Sequence, residues 1–524
     1  MLLRRTFTLF LLTSLASACS PKAAGPPNSP PTYNPFVPLQ GSSLPSAGTL
    51  LPVPTRTPGP TPTLAPLSVL VPTRKPASSL ATPTPDRAHS LPTPRLETKE
   101  YTVQAGDTLG SIAESFGVSA QDLQQANGIT DANLLSVGQT LEVPAPQPGA
   151  AGPSFKIIPD SELVFGPAAA TFDISAYIQR EGGYLATYAE DINGDMLDGG
   201  QVIKLVAQNY SVNPRLLLAL LEYRSRWVTD AAPSSSTLDY PLGFVEPNHI
   251  GLYRQLTWAA NEFNRGFYLW RASAVDHWVL HDNSVVPIDP TINAGTAGIQ
   301  NFFSVLDDRP TWNTDVTAFG LFQTYFLMFG NPFDLAIEPL VPPSLSQPRL
   351  ILPFESGAIW AFTGGPHAAW DSGSAWGALD FAPSDVQGCA ISQQWVTAIA
   401  NGFIVRAANG SVIEDLDGDG YEQTGWDILY LHMADQDRVQ PSTYVYAGDR
   451  IGHPSCEGGI ANAAHLHLAR KYNGEWISAD GTVPFIMDGW TSSGTGTEYD
   501  GFLTRGSVTL EAFEGLNDSN QITR

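Results

Sequence analysis

Basic residues are scarce in this 524-residue chain. It has 27 lysine and arginine residues against 51 aspartate and glutamate residues, which gives a formal net charge of −24. Nucleic-acid binding needs a cationic surface, and docking by charge to an anionic bilayer needs one as well. The composition therefore excludes nucleic acid as a partner and excludes charge-driven membrane binding. The length leaves room for about three domains.

The N-terminus lacks an apolar run long enough to span a membrane. Phe7–Leu15 is apolar, but nine residues are too few for a hydrocarbon core of about 30 Å. Arg4 and Arg5 precede this run, as in a secretory signal peptide. The following Leu-Ala-Ser-Ala-Cys19 resembles a bacterial lipobox, which implies cleavage after residue 18 and lipidation of Cys19. The alternative is an ordinary signal peptide, residues 1–19, with an incidental cysteine; either interpretation predicts an exported protein.

Residues 20–97 hold twenty of the 44 prolines, among serine, threonine and alanine. Such a segment has no apolar face to bury, so it cannot offset the entropy of ordering. We predict a disordered linker. In the polyproline II conformation it would reach on the order of 200 Å.

Cysteine is rare as well, with three residues in the chain. An odd number leaves one thiol to explain, and lipidation of Cys19 would account for it. Cys389 and Cys456 lie in the same C-terminal region. Because an exported protein meets an oxidising compartment, we predict a disulfide between them.

The first folded module follows the linker. Tyr101-Thr-Val reads as a strand, and Leu109, Ile112 and Phe116 recur at helical spacing. A second short helix ends at Asn127-Gly128, and 137–143 forms a turn and a closing strand. This βααβ pattern over 98–145 resembles a lysin-motif (LysM) domain, a family that binds N-acetylglucosamine-containing glycans such as peptidoglycan. The resemblance implies a set of glycan-binding residues, some of which are also expected to shape turns and caps: Gly106, Asp107, Thr108, Leu109, Asn127 and Ile129.

The middle region, 155–345, is expected to be mainly helical. Apolar residues recur at helical spacing in 201–227, and further helices are predicted at 254–271, 294–306 and 316–329. Five tryptophans indicate either a core or an aromatic groove: Trp227, Trp258, Trp270, Trp278 and Trp312.

A weak resemblance connects 212–227 to the first catalytic helix of lytic transglycosylases. That family has a glutamate directly before a serine, whereas Arg224 precedes Ser225 here and Glu222 is two residues too early. We therefore predict a structural helical domain of lysozyme-like ancestry at most. The polar stretch Asp191–Asp195 is either a turn or a calcium ligand set.

The pattern changes near residue 350 to short strands and glycine-rich turns, which predicts an antiparallel β domain over 350–512. His465 and His467 are two apart, so on a strand they face the same side. Catalytic zinc takes three nitrogen or oxygen ligands and keeps a fourth position open. Two histidines and one carboxylate would serve.

This domain resembles the zinc metalloendopeptidases of the lysostaphin and β-lytic type, which cut peptide bonds in peptidoglycan. The resemblance rests on Gly364-Gly-Pro-His367, Ala378-Leu-Asp-Phe-Ala382, Tyr430-Leu-His432 and His465-Leu-His467. It implies that His367, an aspartate and His467 bind zinc. His465 would be the general base, and His432 would assist it and donate a hydrogen bond to the oxyanion.

Two aspartates compete for the ligand position. Asp371 follows His367 by four residues, as in the lysostaphin branch, and Asp380 by thirteen, as in the β-lytic branch. Asp380 lies in an apolar strand, whereas Asp371 lies in an Asp-Ser-Gly-Ser loop. Because a ligand needs a rigid element, we favour Asp380.

Asp415-Leu-Asp417-Gly-Asp419-Gly resembles the first half of a calcium loop. The twelfth position, where a bidentate glutamate is expected, is Trp426. Calcium is therefore a second candidate cofactor beside zinc, and a polar hairpin tip is the simpler interpretation.

The sequence as a whole predicts a monomeric, exported, membrane-anchored peptidoglycan hydrolase that faces the cell wall or periplasm. Its partners would be peptidoglycan and, through the lipid anchor, a membrane. One alternative is a non-enzymatic activator of other cell-wall hydrolases with a degenerate peptidase domain. Another is a wall-binding scaffold in which the helical region carries the function.

Overall fold

The computed structural model describes residues 97–145, 150–282 and 284–524. The predicted signal peptide, the lipidation at Cys19 and residues 20–96 of the linker lie outside the described residues. Within the described ranges, none of the helices is long and apolar enough to cross a membrane.

The first module has the predicted βααβ order. The elements are β1 (Lys99–Thr102), α1 (Leu109–Ser115), α2 (Ala120–Asn127) and β2 (Thr140–Val143). The two strands pair antiparallel, with Tyr101 opposite Leu141. The helices begin at the side-chain caps of Thr108 and Ser119, each of which accepts a backbone N–H bond in the first turn. Apolar residues from all four elements form one small core.

The middle region is mainly helical, as predicted, with two short hairpins. Its helices are α3 (Asp160–Leu163), α4 (Ile174–Glu181), α5 (Gly199–Tyr210), α6 (Pro214–Ser225), α7 (Leu252–Arg271), α8 (Ala294–Leu306), α9 (Arg309–Asp315) and α10 (Leu321–Phe329). The hairpins are β3 (Ala189–Ile192) with β4 (Asp195–Asp198) and β5 (His277–Val279) with β6 (Val285–Pro287).

One predicted helix is divided in two, and another is shorter than predicted. The stretch 201–227 divides between α5 and α6 because Ser211 adopts a left-handed conformation and Pro214, which lacks an N–H, starts a new helix capped by Asn213. The predicted helix 316–329 starts only at Leu321, after Gly320.

The tryptophans of this region form a core and not a groove. Four tryptophans are at most 3% exposed, namely Trp227, Trp270, Trp278 and Trp312. The fifth, Trp258, is partly buried and packs against the apolar cluster that contains the other four. The stretch Asp191–Asp195 is a tight hairpin turn, in which Asn193 and Gly194 have positive φ and Asp191 accepts the Gly194 N–H. These polar residues form a turn, the simpler of the two interpretations.

The C-terminal domain is an antiparallel β structure, as predicted. Its strands are β7 (Ile359–His367), β8 (Ala378–Pro383), β9 (Val396–Thr397), β10 (Gly402–Ala408), β11 (Ser411–Asp415), β12 (Trp426–Leu431), β13 (Tyr444–Val445), β14 (Arg450–Gly452), β15 (Leu466–Tyr472), β16 (Glu475–Trp476), β17 (Ile486–Met487), β18 (Trp490–Gly494), β19 (Gly501–Arg505), β20 (Val508–Glu511) and β21 (Gln521–Thr523).

The main sheet has the strand order β13-β10-β11-β12-β15-β8-β7-β21, with β16 paired to β15. A four-stranded sheet, β17-β18-β19-β20, and the small pair β9-β14 complete the domain. One large apolar cluster fills the space between these elements, and a smaller one covers the other face of the main sheet. The strands β15, β8 and β7 are consecutive neighbours, and the candidate ligands lie on them.

The helical region packs against this second face. Tyr210 donates a hydrogen bond to Asp371 at 2.9 Å, and Arg271 pairs with Glu475 at 2.7 Å. The Tyr268 hydroxyl accepts the N–H of Trp476 at 2.9 Å. Polar contacts at Asp371, Glu475 and Trp476 thus connect the helical region to the C-terminal domain.

Candidate metal centre

Three neighbouring strands bring His367, Asp380 and His467 together. His467 of β15 lies directly opposite Asp380 of β8, and β7 ends at His367 on the far side of β8. Two irregularities in the β7–β8 register precede His367, so the strand end departs from a regular ladder at this point. Register across about one hundred residues, and not local spacing, therefore places the three side chains.

Gly364 makes room for the carboxylate. A Cβ atom at this position would lie 2.8 Å from Oδ2 of Asp380 and 3.0 Å from its Cβ. The Asp380 side chain therefore lies over the β7 backbone where only glycine leaves space. This explains part of the Gly-Gly-Pro-His motif in steric terms.

The three candidate ligand atoms are mutually close. His367 Nε2 lies 3.0 Å from His467 Nδ1, and each of these nitrogens lies 3.3 Å from Asp380 Oδ1. Three tetrahedral ligands with bonds of about 2.0–2.1 Å would be separated by about 3.3 Å. The spacing therefore fits a zinc ion, and it corresponds to two nitrogens and one oxygen with a further position open.

The outer ring nitrogens fix the tautomers of both histidines. Nδ1 of His367 donates to the Gly365 carbonyl at 2.8 Å, and Nε2 of His467 donates to the Ala369 carbonyl at 3.0 Å. In the neutral rings, the two facing nitrogens then carry lone pairs. Asp380 Oδ1, which faces both of them, is buried without a hydrogen-bond partner among the described residues. Three acceptors that converge in this way form a group that could hold a metal ion.

Electrostatics support the same arrangement. Burial disfavours an ionised carboxyl, but the neighbouring His367 outweighs it, and the pKa of Asp380 lies well below its usual range. Burial also opposes protonation of His367, yet the Asp380 charge raises the pKa of that imidazole. Burial lowers the pKa of His467. The carboxylate is therefore ionised and ready to bind a cation.

His465 and His432 lie beside the three ligands. Nδ1 of His465 donates to the Ala463 carbonyl at 2.9 Å, and its Nε2 is 3.8 Å from Asp380 Oδ1. The His432 and His465 rings have centroids 4.4 Å apart. Both histidines thus lie next to the candidate ligand group.

The backbone at His432 is held in a left-handed conformation with φ of 64°. This conformation costs about 1–2 kcal/mol for a residue other than glycine. Ser455 stabilises it, since both its N–H and its hydroxyl donate to the His432 carbonyl, at 2.7 and 3.0 Å. Nδ1 of His432 donates to the Glu457 carbonyl. Burial, with His465 and His467, lowers the pKa of His432 to about 3.

The predicted disulfide between Cys389 and Cys456 is present. Cys456 lies between Ser455 and Glu457, the two residues that hold the His432 backbone and ring. The bridge therefore restrains the loop that orients His432.

Asp371 is separate from the centre. Its Oδ2 accepts the Tyr210 hydroxyl, and its Oδ1 accepts the Ser372 N–H at 2.7 Å. Of the two competing aspartates, Asp380 lies beside the histidines and Asp371 serves the contact with α5.

Sequence reasoning missed Tyr499, in the loop between β18 and β19. Its ring stacks on the His367 ring, with centroids 4.2 Å apart and an interplanar angle of 19°. Its carbonyl accepts the Gly365 N–H, and its own N–H donates to the Pro366 carbonyl. Glu498 accepts the Ala368 N–H at 3.4 Å. No motif surrounds Tyr499, so only the folded chain reveals its position.

The predicted glycan-binding residues of the first module shape turns, caps and the core. Asp107 accepts the Tyr101 hydroxyl, and Asn127 bridges the Leu123 and Glu142 backbones. Gly106, with φ of 98°, and Thr108 are exposed, Ile129 is half-buried and Leu109 is buried in the core. Exposed Gly106 and Thr108 remain available to a ligand, and the glycan-binding role stays a prediction.

Two family models match the chain: the LysM domain over 101–144, and the N-terminal domain of LasA over 156–342. The region that the sequence described as a helical domain, of lysozyme-like ancestry at most, therefore resembles the N-terminal domain of LasA. Protease LasA of Pseudomonas aeruginosa strain PAO1 is 25% identical over 370 residues, which cover 64% of this chain and 78% of that protein.

A further relative matches a shorter stretch of this chain. N-acetylmuramoyl-L-alanine amidase XlyA of Bacillus subtilis strain 168 is 50% identical over 60 residues, 12% of this chain and 20% of that protein.

Among solved structures, the M23 metalloprotease pseudoalterin from the deep sea is 22% identical with a TM-score of 0.28, covering 32% of this chain and 98% of that one. The predicted combination of a LysM domain with a lysostaphin-type peptidase domain is confirmed.

Proposed function

Because the chain joins a LysM domain to a lysostaphin-type peptidase domain, we propose that it is an exported zinc metalloendopeptidase that hydrolyses peptide bonds in peptidoglycan. One observation carries the proposal. Nε2 of His367, Oδ1 of Asp380 and Nδ1 of His467 converge within 3.3 Å as three acceptors, and Oδ1 has no hydrogen-bond donor among the described residues.

His367, Asp380 and His467 would hold the metal through these atoms. When bound there, zinc supplies Lewis acidity toward a peptide carbonyl and toward water. The Gly365 and Ala369 carbonyls keep both imidazoles in the tautomer that a ligand needs. Gly364 keeps the space for the carboxylate, and Tyr499 packs against the face of the His367 ring.

His465 is the proposed general base. Its Nδ1–H donates to the Ala463 carbonyl, so Nε2 of the neutral ring carries a lone pair. This nitrogen takes the proton of the attacking water and returns it to the leaving amine of the peptide bond. The pairing of a fixed tautomer with a free Nε2 is what general base chemistry requires.

His432 assists as a neutral imidazole. Its Nδ1–H donates to the Glu457 carbonyl, and its lowered pKa keeps the ring uncharged. Nε2 is then an acceptor and not a donor. Donation to the oxyanion, the sequence-based expectation, would need a protonated His432, which its lowered pKa disfavours. We therefore favour a role for neutral His432 in accepting a hydrogen bond from the attacking water or the substrate.

The LysM domain would hold the enzyme on its substrate. The LysM domain, over 101–144, precedes the candidate peptidase domain, and part of the chain resembles an N-acetylmuramoyl-L-alanine amidase. Binding to glycan strands raises the local concentration of cross-linked peptides near the metal centre. Lipidation of Cys19 would anchor the chain to a membrane, and the proline-rich linker would extend it into the wall.

The test uses the full chain with zinc added, intact peptidoglycan and mass spectrometry of the released fragments. The wild type is expected to bind about one zinc ion and to release peptides. His467→Ala should lose both properties, whereas His465→Ala should keep zinc and lose cleavage. His453→Ala is the matched control, because His453 is buried in the same domain and bonds to the Gln394 carbonyl.

A zinc-loaded wild type that leaves several peptidoglycans intact would contradict the enzyme. If that protein accelerates a second hydrolase, the non-enzymatic activator is the better description. The presence of all three ligands argues against that alternative.

A further inference from the structure

The hairpin loop between β11 and β12 concentrates carboxylates. Asp415, Asp417 and Asp419 each place one oxygen within 4.8 Å of the others. Calcium takes six to eight oxygen ligands at 2.3–2.6 Å, so two of its ligands lie at most about 5 Å apart. Acidic loops of this kind also occur without an ion, and the spacing alone decides nothing.

A fourth carboxylate lies behind the loop. Asp427 is fully buried, and neither of its carboxylate oxygens has a hydrogen-bond partner among the residues that the structure describes. It is directly opposite Asp415 in the antiparallel pair of β11 and β12, so both side chains project from the same face. Asp415 and Asp417 are among the charges that act on Asp427. An unpaired buried carboxylate facing further carboxylates is unfavourable unless a cation is nearby.

The two cationic side chains near Asp427 form their ion pairs with Glu422. Lys471 lies opposite Asp427 on β15, but its ammonium pairs with Glu422 at 3.2 Å. Arg406 pairs with the same glutamate at 3.0 Å. Five carboxylates at this end of the sheet thus face two cations.

We propose that Asp415, Asp417 and Asp419 bind a calcium ion and that buried Asp427 strengthens the binding through its negative charge. The loop carries Trp426 where a calcium loop expects a bidentate glutamate, and Asp427 follows it at once. An all-oxygen ligand set suits a hard cation and not zinc.

The site lies away from the candidate zinc centre. Trp426 begins β12 and His432 follows its other end, so the length of the strand separates the two centres. The loop is close to the contact with the helical region instead. Arg406, which holds Glu422, also donates to Asn209 of α5 at 2.8 Å, and Gly425 donates to Asn473, which in turn donates to the Leu340 carbonyl. Calcium binding here stabilises the contact between the two regions and leaves the chemistry unchanged.

Terbium luminescence tests the site in the full zinc-loaded chain. Tyr421 lies within the loop and Trp426 adjoins it, so both can sensitise bound Tb³⁺. We expect a luminescence signal that Ca²⁺ displaces and Mg²⁺ does not. Saturating Ca²⁺ should raise Tm by about 5 °C, with peptidase activity unchanged. Asp417→Asn/Asp419→Asn should remove the signal and the shift.

Asp191→Asn/Asp195→Asn is the matched control, because it neutralises two exposed acids in another hairpin turn. This variant should behave as the wild type. Asp427→Asn should fold without calcium and bind Tb³⁺ at least tenfold more weakly.

Three results would overturn the proposal. The first is a wild type with no luminescence and no change in Tm up to about 10 mM Ca²⁺, above the range of weak extracellular calcium sites. The second is equal stabilisation by Mg²⁺. The third, undiminished affinity in Asp427→Asn, removes the role given to the buried carboxylate.

Discussion

Asp380 and Asp427 are buried carboxylates on the two strands that flank β15, and their environments differ in one respect. Asp380 faces two imidazoles, and the Coulombic effect of His367 above all outweighs the burial and holds its pKa well below the usual range. Asp427 is close to one shared ammonium and several carboxylates, and burial raises its pKa well above that range, so it needs the proposed calcium ion nearby to be ionised. Burial alone therefore says little about a carboxylate; the partner decides whether it stays ionised.

The largest expected effect comes from removing the charge that defines the first environment. Asp380→Asn keeps the side-chain shape but should lower zinc affinity at least about 100-fold. Competition with a chromophoric chelator measures this. Asp371→Asn is the control, because the Asn amide oxygen can still accept the Tyr210 hydroxyl and its zinc affinity should not change. Equal losses in both variants would contradict the assignment of Asp380.

A second change tests the space around Asp380 instead of its charge. Gly364→Ala adds a Cβ about 3 Å from the carboxylate, which forces a shift and should lower stability by about 1–3 kcal/mol. Zinc affinity should fall with it. Gly110→Ala is the matched control, since the nearest atom to its new Cβ is 3.9 Å away. Urea unfolding measures the stability of both variants, and competition with a chelator measures their zinc affinity. An unchanged Gly364→Ala would mean that the carboxylate position does not depend on this glycine.

Glu414 is an intermediate case between Asp380 and Asp427. Tyr430 donates to one of its oxygens, the other is buried without a partner in the described structure, and burial raises its pKa to about 8. The folded chain therefore holds a proton that the unfolded chain releases near pH 4.5, so this group lowers stability as pH rises from about 4.5 to 8. Glu414→Gln should abolish a loss on the order of a few kcal/mol across that range. The test measures the free energy of unfolding at pH 5 and pH 8 in both proteins. The same dependence of this free energy on pH in the wild type and the variant would contradict the prediction.

The smallest effect concerns the ring beside His367. Tyr499→Ala should lower zinc affinity about twofold to tenfold, the range expected for loss of an aromatic contact. Tyr499→Phe keeps the stack and should bind zinc as the wild type does. Comparable losses in the two variants would show that the hydroxyl, and not the stacking, supports the ligand.

Local patterns accounted for the parts of the fold that depend on near neighbours. The βααβ module follows from caps and spacings within a few residues, and the separation of His465 and His467 by two placed them together at the start of β15. The choice of Asp380 over Asp371 rested on strand context, and the structure places Asp380 with the histidines. The helix break at Ser211 and the start of α10 at Leu321 were missed because the apolar periodicity continues across both positions.

The sequence by itself determined the module order, the β character of the C-terminal domain and the residue types of the candidate metal centre. Those properties depend on composition, periodicity and short motifs. The tertiary structure alone decided which nitrogen of each histidine faces inward, that Tyr499 covers His367, and that Asp427 lies behind the acidic loop. Each of these depends on strand register between residues that are distant in the chain, and no local spacing encodes that register.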